Sequence, residues 1–422
     1  MSEMGFMEKL LDGVGVEWKA LGEIGSFVRG KRFVKNDIVS EGIPCIHYGE
    51  LYTYYGISAE KTKSFLCDDL AAKLRFAQPG DVVIVSAGET IEDIGNATAW
   101  LGQEDVVIHD ACFSFKSKLN PVYVSYFLRT KYFKDQIKNS ISSGKISSIN
   151  SAGLGKALIP IPCPDNPKKS LEIQAEIVRI LDAMTAHTAE LTAELTAELT
   201  ARKKQYDYYR DKLLSFEEGA VEWKELGEEF PFIRNGFVGT VTPFFTTRDK
   251  GVRYLQGTNI NNGNIRDNVE YYVNLAFHEK HSRTHLKADD ILLVQSGHVG
   301  DSAVVGEKYK GSNCHALIVI SNGGRMNSKF VNYYFQSKQG KEQLRKITTG
   351  GTVKHILASK MKKFFIPVPP LEIQNRIVAL LDKFNVLTTS ITNGLPREIE
   401  LRQKQYAYYR DLLLSFPAAQ AA

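Results

Sequence analysis

Cysteines are few in this 422-residue sequence, and they form no motif. There are five, at positions 45, 67, 112, 163 and 314, with no C-x-x-C pair. This pattern argues against a disulfide framework and against a structural zinc site. Apolar runs of about 18 residues are also missing, and the N-terminal stretch carries acidic residues instead of a long apolar core. We therefore expect a soluble, cytoplasmic protein with no membrane partner.

Catalytic motifs are missing as well. The sequence contains no G-x-x-x-x-G-K-[ST] phosphate loop, no G-x-S-x-G elbow, no N-P-P-Y-type tetrapeptide of an adenine methyltransferase and no glycine-rich dinucleotide turn. The histidines at 278, 281 and 285 lack the H-E-x-x-H spacing, which favours a solvated or DNA-facing loop over a metal site. Glu92 and Asp93 are interpreted as part of a turn. We predict no catalytic residue, no metal and no cofactor in this chain.

An internal duplication is the strongest feature that is present. LEIQAEIVRILD at 171–182 returns at 371–382 with 8 of 12 positions identical, and RKKQYDYYRDKLLSF at 202–216 returns at 402–416 with 12 of 15 identical. VEWKALGE at 16–23 returns as VEWKELGE at 221–228, and IPIP at 159–162 returns as IPVP at 366–369. The order is a divergent domain, a near-identical helix, a second divergent domain and a second helix.

The repeated segments have the apolar spacing of long helices, with steps of three and four residues. A helix over 171–216 would be roughly 65–70 Å long and suggests a coiled coil with its second copy. It contains TAEL three times between Thr188 and Leu199. Each unit would lengthen the helix by about 6 Å. In the second copy we expect a break near Gly394 and a restart with Pro396 as the first helical residue.

Four segments follow from this pattern. We predict divergent domains at 1–170 and 217–370, a central helix at 171–216, and a distal helix with a tail at 371–422. The domains are expected to be mixed α/β, with strands at 82–85, 106–108, 291–294 and 316–320. Helical runs should follow Pro121 and Asn327, and proline clusters near 160–167 and 367–370 should act as extended linkers. Residues 217–370 carry 21 basic against 15 acidic side chains, a modest indication of a polyanionic partner.

Polar and aromatic loops occur at matching places in both halves. Arg and Lys suit phosphates and guanine edges, Asn and Gln suit adenine, and Ser and Thr hydroxyls can bind phosphate. The candidate DNA-contacting residues are Arg29, Lys31, Arg32, Tyr48, Tyr52, Tyr54, Ser86, Thr90, Ser143, Lys145 and Ser147 in the first half, and Arg248, Arg253, Asn259, Asn261, Asn262, Gln295, Ser296, His298, Thr349, Lys354 and His355 in the second.

The whole pattern resembles the specificity subunit of type I restriction–modification enzymes, over about residues 5–416. The TAEL run resembles the spacer of the subgroup called IC. The resemblance implies two target recognition domains that each read half of a split sequence in double-stranded DNA, held apart by two long antiparallel helices with pseudo-two-fold symmetry. It also implies a non-catalytic chain that binds two modification subunits, which use S-adenosylmethionine to methylate adenine. Restriction subunits that use ATP and Mg²⁺ would join them. Target bases, spacer length and the methylated adenines do not follow from it.

Two readings of other classes compete with this one. A fused methyltransferase or nuclease would need the missing motifs, and a coiled-coil scaffold that binds only protein would not need two loop-rich domains. The partner surface is less defined than the DNA face. Tyr208 and Tyr408 cannot lie on the same helical stripe as their tyrosine neighbours, so we expect both to face away from the helix–helix seam. Contact with a modification subunit and packing against the adjacent domain both remain open for them.

Overall fold

The computed structural model describes residues 11, 13–144, 146–351, 354–389 and 394–416. Its contacts divide the chain into two compact units. The first contains the described residues of Met1–Ala193 and Ile399–Ala422, and the second contains Glu194–Glu398. Of the described residues, 43% are helical and 24% are in strands, which confirms the mixed α/β class. In the described part of the chain, no helix is long and apolar enough to cross a bilayer.

Two sheets form the body of the first unit. One has five strands in the order Gly25–Arg29, Cys112–Ser117, Val82–Val85, Ala97–Trp100 and Ser58–Ala59, and the other has four in the order Ser64–Leu66, Ile43–Ile46, Val106–Ile108 and Phe76–Ala77. Two ribbons complete it: Val16–Ala20 with Leu158–Pro162, and Ala87–Gly88 with Ser147–Ser148. The helices besides the long ones are Leu21–Ile24, Glu50–Thr53, Asp68–Ala71, Pro121–Leu128, Lys131–Ile137 and Ser151–Gly155.

The second unit repeats this plan. Its first sheet has the order Phe232–Asn235, Leu317–Ser321, Ile291–Val294 and Ser302–Val304, and its second has Phe245–Thr246, Tyr271–Asn274, Gly251–Leu255 and Asn313–Cys314. Glu222–Glu225 pairs with Phe365–Val368, and Ile260–Asn261 pairs with Asn264–Ile265. The shorter helices are Leu226–Glu229, Leu275–Lys280, Ser328–Gln336, Lys338–Ile347 and Ala358–Met361. The strands predicted at 82–85, 106–108 and 291–294 are confirmed, and the one predicted at 316–320 begins one residue later.

Pro160, Pro162 and Pro367 lie in strands and Pro167 starts a helix, whereas Pro369 and Pro370 form a two-residue connection to the helix Leu371–Thr389. Trp18 lies opposite Pro160, and Trp223 lies opposite Pro367, so the repeated VEWK and IPxP motifs pair with each other. Each ribbon has only two strands, so a proline can face outward without losing a ladder hydrogen bond. Pro167 begins the long helix, where its missing N–H costs nothing. The linker prediction was therefore wrong at the strand and helix-start positions.

Each helical run after Pro121 and Asn327 is divided into two helices. Thr130 and Ser337 interrupt them because each side chain accepts a backbone N–H of the helix that follows, from Phe133 and Gly340. A side-chain oxygen that satisfies a free N–H at a helix start favours a new helix there over continuation of the old one.

The long helix is continuous over Pro167–Leu213. It starts four residues before the predicted 171 and ends at Leu213 rather than 216. The second copy is described as two helices, Leu371–Thr389 and Leu395–Leu413. The carbonyl of Gly394 accepts the N–H of Arg397, so the second of them begins one residue before the predicted Pro396. Residues 390–393 lie outside the described part of the chain.

The repeated segments dock onto the domains by matching contacts. Buried Gln174 accepts the N–H of Asn120 at 2.9 Å in the first unit, and buried Gln374 accepts the N–H of Asn327 at 2.9 Å in the second. The hydroxyl of Tyr126 donates to Asp182 at 2.7 Å, as that of Tyr333 does to Asp382 at 2.6 Å. These contacts explain why the helical segments stay alike while the loops diverge.

The YYRD ends of the repeated segments cap domain helices. Asp411 accepts the N–H of Lys131 at 3.2 Å, and Asp211 accepts that of Lys338 at 3.0 Å. In the first unit Thr185 contacts Tyr406, while Leu414 and Phe416 join a core that contains Ile173 and Ile177. Within that unit the two helical segments therefore run antiparallel, as predicted.

Candidate nucleic-acid interface

A cleft of about 770 Å³ opens between the two sheets of the first unit. Four of the predicted loop regions reach it. Its lining residues are Arg29, Arg32, Phe33, Val34, Lys35, His47, Tyr48, Ala87, Gly88, Glu89, His109, Asp110, Ala111 and Ile146. Arg29, Arg32 and Tyr48 were predicted individually, and the loops around residues 86–90 and 143–147 are represented by their neighbours. The structure therefore brings separate sequence candidates together at one concave surface.

Rings form the floor of this cleft. The centroid of His109 lies 4.7 Å from that of His47, 5.1 Å from that of Tyr48 and 5.1 Å from that of Phe33. Tyr52 extends the cluster, 6.3 Å from Tyr48. Flat faces and ring N–H groups are suited to stacking and hydrogen bonding with bases.

Burial favours the neutral form of the two histidines. It lowers the pKa of His47, against the opposing effect of Glu50. Burial also lowers the pKa of His109, against the carboxylate of Asp110. The Nδ1 atom of His47 accepts the N–H of Gly49 at 3.3 Å. A neutral imidazole with an accepting Nδ1 carries its hydrogen on Nε2, so His47 is a donor at that atom.

Basic groups at the rim are partly fixed by the protein itself. Arg29 Nε donates to the carbonyl of Asp110 at 2.9 Å, and Lys31 Nζ donates to the carbonyl of Lys73 at 2.8 Å. Arg32 and Lys35 are exposed. Three cations face two carboxylates, Glu89 and Asp110, in the lining of the cleft. The rim is mildly electropositive and can hold phosphate at its edge.

The two polar loops of the first unit are joined by a short ribbon. Ser147 lies opposite Gly88 and Ser148 opposite Ala87. Ser86 and Ser147 are buried, so their side chains support this ribbon rather than face solvent. Thr90 donates to Asp93 at 2.8 Å, which confirms the predicted turn, and Ser143 is exposed. Lys145 lies outside the described residues.

Lys134 holds the turn in place. Its Nζ donates to the carbonyls of Glu92 and Ile94, at 3.1 and 2.6 Å, and to Asn96 Oδ1 at 2.9 Å. Burial lowers its pKa to about 8. Sequence reasoning missed Lys134 because its role depends on contacts with a loop about 40 residues earlier.

His47, His109 and Lys35 were also missed. The place of the two histidines directly after the paired strands at 43–46 and 106–108 was the available signal.

The second unit builds the same frame with other side chains. Ser296 and His355 form an isolated antiparallel β-bridge through their backbones. The N–H of Ile356 donates to the carbonyl of Gln295, and in the first unit the N–H of Ile149 donates in the same way to the carbonyl of Ser86. Thr349 forms a second isolated β-bridge with His355. Ser296, His298 and Lys354 are exposed on these two loops. The loops around residues 295–298 and 349–355 are therefore joined in the second unit as well.

A basic cleft of about 340 Å³ lies beside these loops. It is lined by Val299, Gly300, Asp301, Lys341, Leu344, Arg345, Thr348, Gly350 and Lys354. Burial raises the pKa of Asp301, opposed by His298 and Lys341. Three cations against one carboxylate make it the more electropositive of the two clefts.

Several second-half candidates have structural roles. Asn259 is fully buried, and its amide donates to the carbonyls of Arg266 and Val269 while its oxygen accepts the N–H of Gln256. Arg253 pairs with Asp267 at 3.1 Å. These residues hold the loop, which corrects their assignment as DNA contacts. Arg248 is exposed in a single 3₁₀ turn outside the lining of the cleft.

Asn261 and Asn262 belong to a tight hairpin. Asn262 and Gly263 both have positive φ, at 46° and 82°, which is the type I′ pattern that favours Asn-Gly. The N-G dipeptide was the sequence signal for this hairpin, and it was not used. The carbonyl of Gly263 accepts from Asn332 on the helix Ser328–Gln336, so the hairpin packs there.

The remaining tyrosine candidates are exposed. Tyr54 lies under Lys63 and outside the lining of the first cleft. Tyr208 and Tyr408 are 60% and 54% exposed, which confirms that they turn away from buried helix faces. In the second unit the neighbouring Tyr209 instead stacks on Phe384 at 5.8 Å.

The histidines near 280 are engaged within the protein. The rings of His278 and His285 stack at 3.8 Å, and His285 Nε2 bonds to the carbonyl of His278. His278 lies in the helix Leu275–Lys280 rather than in the predicted loop. Among the described residues, no group of three or more His, Cys, Asp or Glu side chains is arranged to hold a metal ion.

Solved structures share this fold. A chain from a study of complex assembly and conformational transition of the type I R-M system matches with a TM-score of 0.68 and 16% identity, covering 95% of this chain and 97% of that one. The HsdS subunit from Thermoanaerobacter tengcongensis matches with a TM-score of 0.50 and 15% identity, covering 95% of each chain.

Curated relatives match along almost the whole sequence. The EcoR124I/EcoR124II type I restriction enzyme specificity subunit of Escherichia coli is 37% identical, covering 99% of this chain and 98% of its own. The putative specificity subunit S.HindORF215P of Haemophilus influenzae is 33% identical, covering 97% and 98%. The model of the type I restriction modification DNA specificity domain matches residues 14–201 and again 223–401. The chain therefore belongs to the family of type I restriction-modification specificity subunits, with two copies of the DNA specificity domain.

Proposed function

We propose that each unit reads one half of a bipartite target in double-stranded DNA. The observation that carries this proposal is the repeated frame. In both units the loops that follow matching strands converge on one surface, and that surface carries different side chains in the two units. A shared scaffold with divergent polar loops is what two readers of two different half-sites require.

We propose that partners supply the chemistry. Specificity subunits of type I systems are non-catalytic DNA-recognition subunits that work with methyltransferase and restriction subunits. Here two modification subunits would bring S-adenosylmethionine, and restriction subunits would bring ATP and Mg²⁺. The exposed Tyr208 and Tyr408 are proposed partner contacts, since large exposed aromatic groups are typical of interfaces. The complex would act on host DNA in the cytoplasm.

We propose further that the TAEL run sets the gap between the half-sites. The run from Thr188 to Leu199 lies within the uninterrupted helix Pro167–Leu213, and the boundary between the two units falls inside it. A helix grows by about 1.5 Å per residue, so the number of repeats fixes a length. Half-sites read by two domains joined through this helix would inherit that length as a fixed number of unread base pairs.

Co-expression with the methyltransferase that we expect to be encoded beside this chain tests the proposal. Methyl-adenine mapped across host DNA should define a split motif with a fixed gap, and the motif should disappear when this chain is omitted. The matched control is the methyltransferase expressed with a chain that lacks residues 217–370. It should lose the second half of the motif. Unchanged methylation without the chain would show that the methyltransferase reads DNA alone, and would favour a scaffold.

A further inference from the structure

The strand registers assign equivalent positions in the two units. Ile46 pairs with Ile108 across two parallel strands in the first unit, and Leu255 pairs with Cys314 across two parallel strands in the second. The N–H of the next residue on the partner strand, His109 or His315, donates to the carbonyl of Ile46 or Leu255. His47 and Gln256 each follow directly, so they stand at the same place in the frame.

The neighbouring positions around them are constant. A Cβ atom on Gly30 would lie 2.1 Å from the carbonyl oxygen of His109, directly after the strand Val106–Ile108. A Cβ atom on Gly236 would lie 2.6 Å from Cys314 Sγ, in the matching strand Asn313–Cys314. His109 and His315 are both histidines, and burial lowers the pKa of each. Against this constant background, the exchange of His47 for Gln256 changes the hydrogen-bonding chemistry of one position.

The two side chains suit different bases. The N–H of Gly49 occupies Nδ1 of His47, which leaves this ring as a donor at Nε2, in a cleft whose lining also includes Arg29 and Arg32. The major-groove edge of guanine presents two acceptors, N7 and O6. Glutamine has both a donor and an acceptor, and pairs with N6 and N7 of adenine.

We propose that His47 and Gln256 are equivalent specificity-determining residues, His47 for a guanine in the half-site of the first unit and Gln256 for an adenine in that of the second. This inference rests on the proposed function. It adds which position of each unit discriminates between bases, and which base edge each one takes.

The test uses the assembled complex of full-length chain and methyltransferase, and selects DNA from a pool with both half-sites randomised. His47→Gln should change one guanine of the first half-site to adenine, with a preference reversed by about tenfold or more, and leave the second half unchanged. Gln256→His should make the reciprocal change in the second half. His187→Gln is the matched control, since it makes the same exchange at an exposed position of the long helix, and it should select the wild-type motif.

Each outcome bears on the inference. Loss of discrimination in only the half-site of the altered unit, with the wild-type unfolding temperature retained, also supports it. If both variants select the wild-type bases, or if either changes the half-site of the other unit, the inference is overturned. A wild-type complex that selects no split motif would instead overturn the proposed function, so the two failures are distinct.

Discussion

Gly30 shows how a single residue can position the candidate interface. It directly follows the strand Gly25–Arg29, where the chain passes close to the end of the strand Val106–Ile108 and to His109 after it. A Cβ atom there would come within 2.4 Å of the carbonyl oxygens of both Ile108 and His109. The absence of a side chain therefore permits the approach that brings Arg29 and Arg32 beside the histidine rings.

Replacing Gly30 by alanine should destabilise the first unit by about 1–3 kcal/mol, because the collision is with backbone and cannot be relieved by rotating a side chain. Thermal unfolding of the full chain, followed by circular dichroism, measures it. Gly56→Ala is the control, since a Cβ atom at Gly56 meets nothing within 4 Å. Equal unfolding temperatures for the two variants would contradict the close approach.

His109 predicts a pH dependence of stability. Burial lowers its pKa in the folded chain below the ordinary value of 6.5. The unfolded chain then binds a proton at a higher pH than the folded chain does, so the free energy of unfolding decreases as the pH falls below about 6.5. His109→Gln should flatten this decrease between pH 7 and pH 5.5, measured as denaturation midpoints. The exposed His187→Gln should keep the wild-type slope, and an unaltered slope in His109→Gln would contradict the explanation.

At the scale of elements, the repeated helices act through a few buried polar contacts. Gln174 is fully buried, accepts the N–H of Asn120 and donates to Ser170 Oγ at 3.0 Å. Asn120 directly precedes the helix Pro121–Leu128. This glutamine therefore fastens the domain to the long helix at one defined register.

Gln174→Met should cost about 1–3 kcal/mol, because methionine fills similar space but leaves the N–H of Asn120 without its acceptor. Gln374→Met should cost a similar amount in the second unit, where the same N–H bond is made to Asn327. Gln103→Met, at an exposed loop position, serves as the control and should change the free energy of unfolding by less than about 0.5 kcal/mol. The urea denaturation midpoints of the three variants, compared with that of the wild-type chain, measure these differences. Equal stability of Gln174→Met and Gln103→Met would exclude the fastening role.

Much of the architecture at this scale followed from the sequence. The duplication, the long helix and the central strands were predictable because periodicity and repetition are local properties. The pairing of the VEWK and IPxP motifs was not, because it joins residues about 140 positions apart. The division of the helices at Thr130 and Ser337 was missed because capping competed with an unbroken apolar spacing.

The candidate interface was predicted only in outline. Loop regions were found by comparing the two halves, and the structure places several of them at one cleft in the first unit. The buried role of Asn259 and the ion pair of Arg253 were not foreseen, because polar residues that hold a loop and polar residues that touch a ligand have the same composition. His47 and His109 became visible only when the strand registers placed them at the same cleft.

At the scale of the whole molecule, the TAEL run predicts a length effect. Deleting Thr192–Leu195 removes one unit, or about 6 Å of helix, and should shorten the gap in the methylation motif by about one base pair while both half-sites stay the same. Methyl-adenine mapping measures the gap. Glu194→Ala, which keeps the length, should leave the motif unaltered. A changed half-site in the deletion variant would contradict the spacer role.

The first unit is completed by residues 399–416, which supply Asp411 to Lys131 and add Leu414 and Phe416 to its core. During synthesis these residues leave the ribosome long after the sheets of the first unit. The segment 202–216 emerges about two hundred residues earlier and carries the same tyrosines, aspartate, leucine and phenylalanine. The nascent first domain thus meets a near-copy of its own closing segment before the true one exists. We therefore expect the two segments to compete for the nascent first domain until the second domain binds residues 202–216.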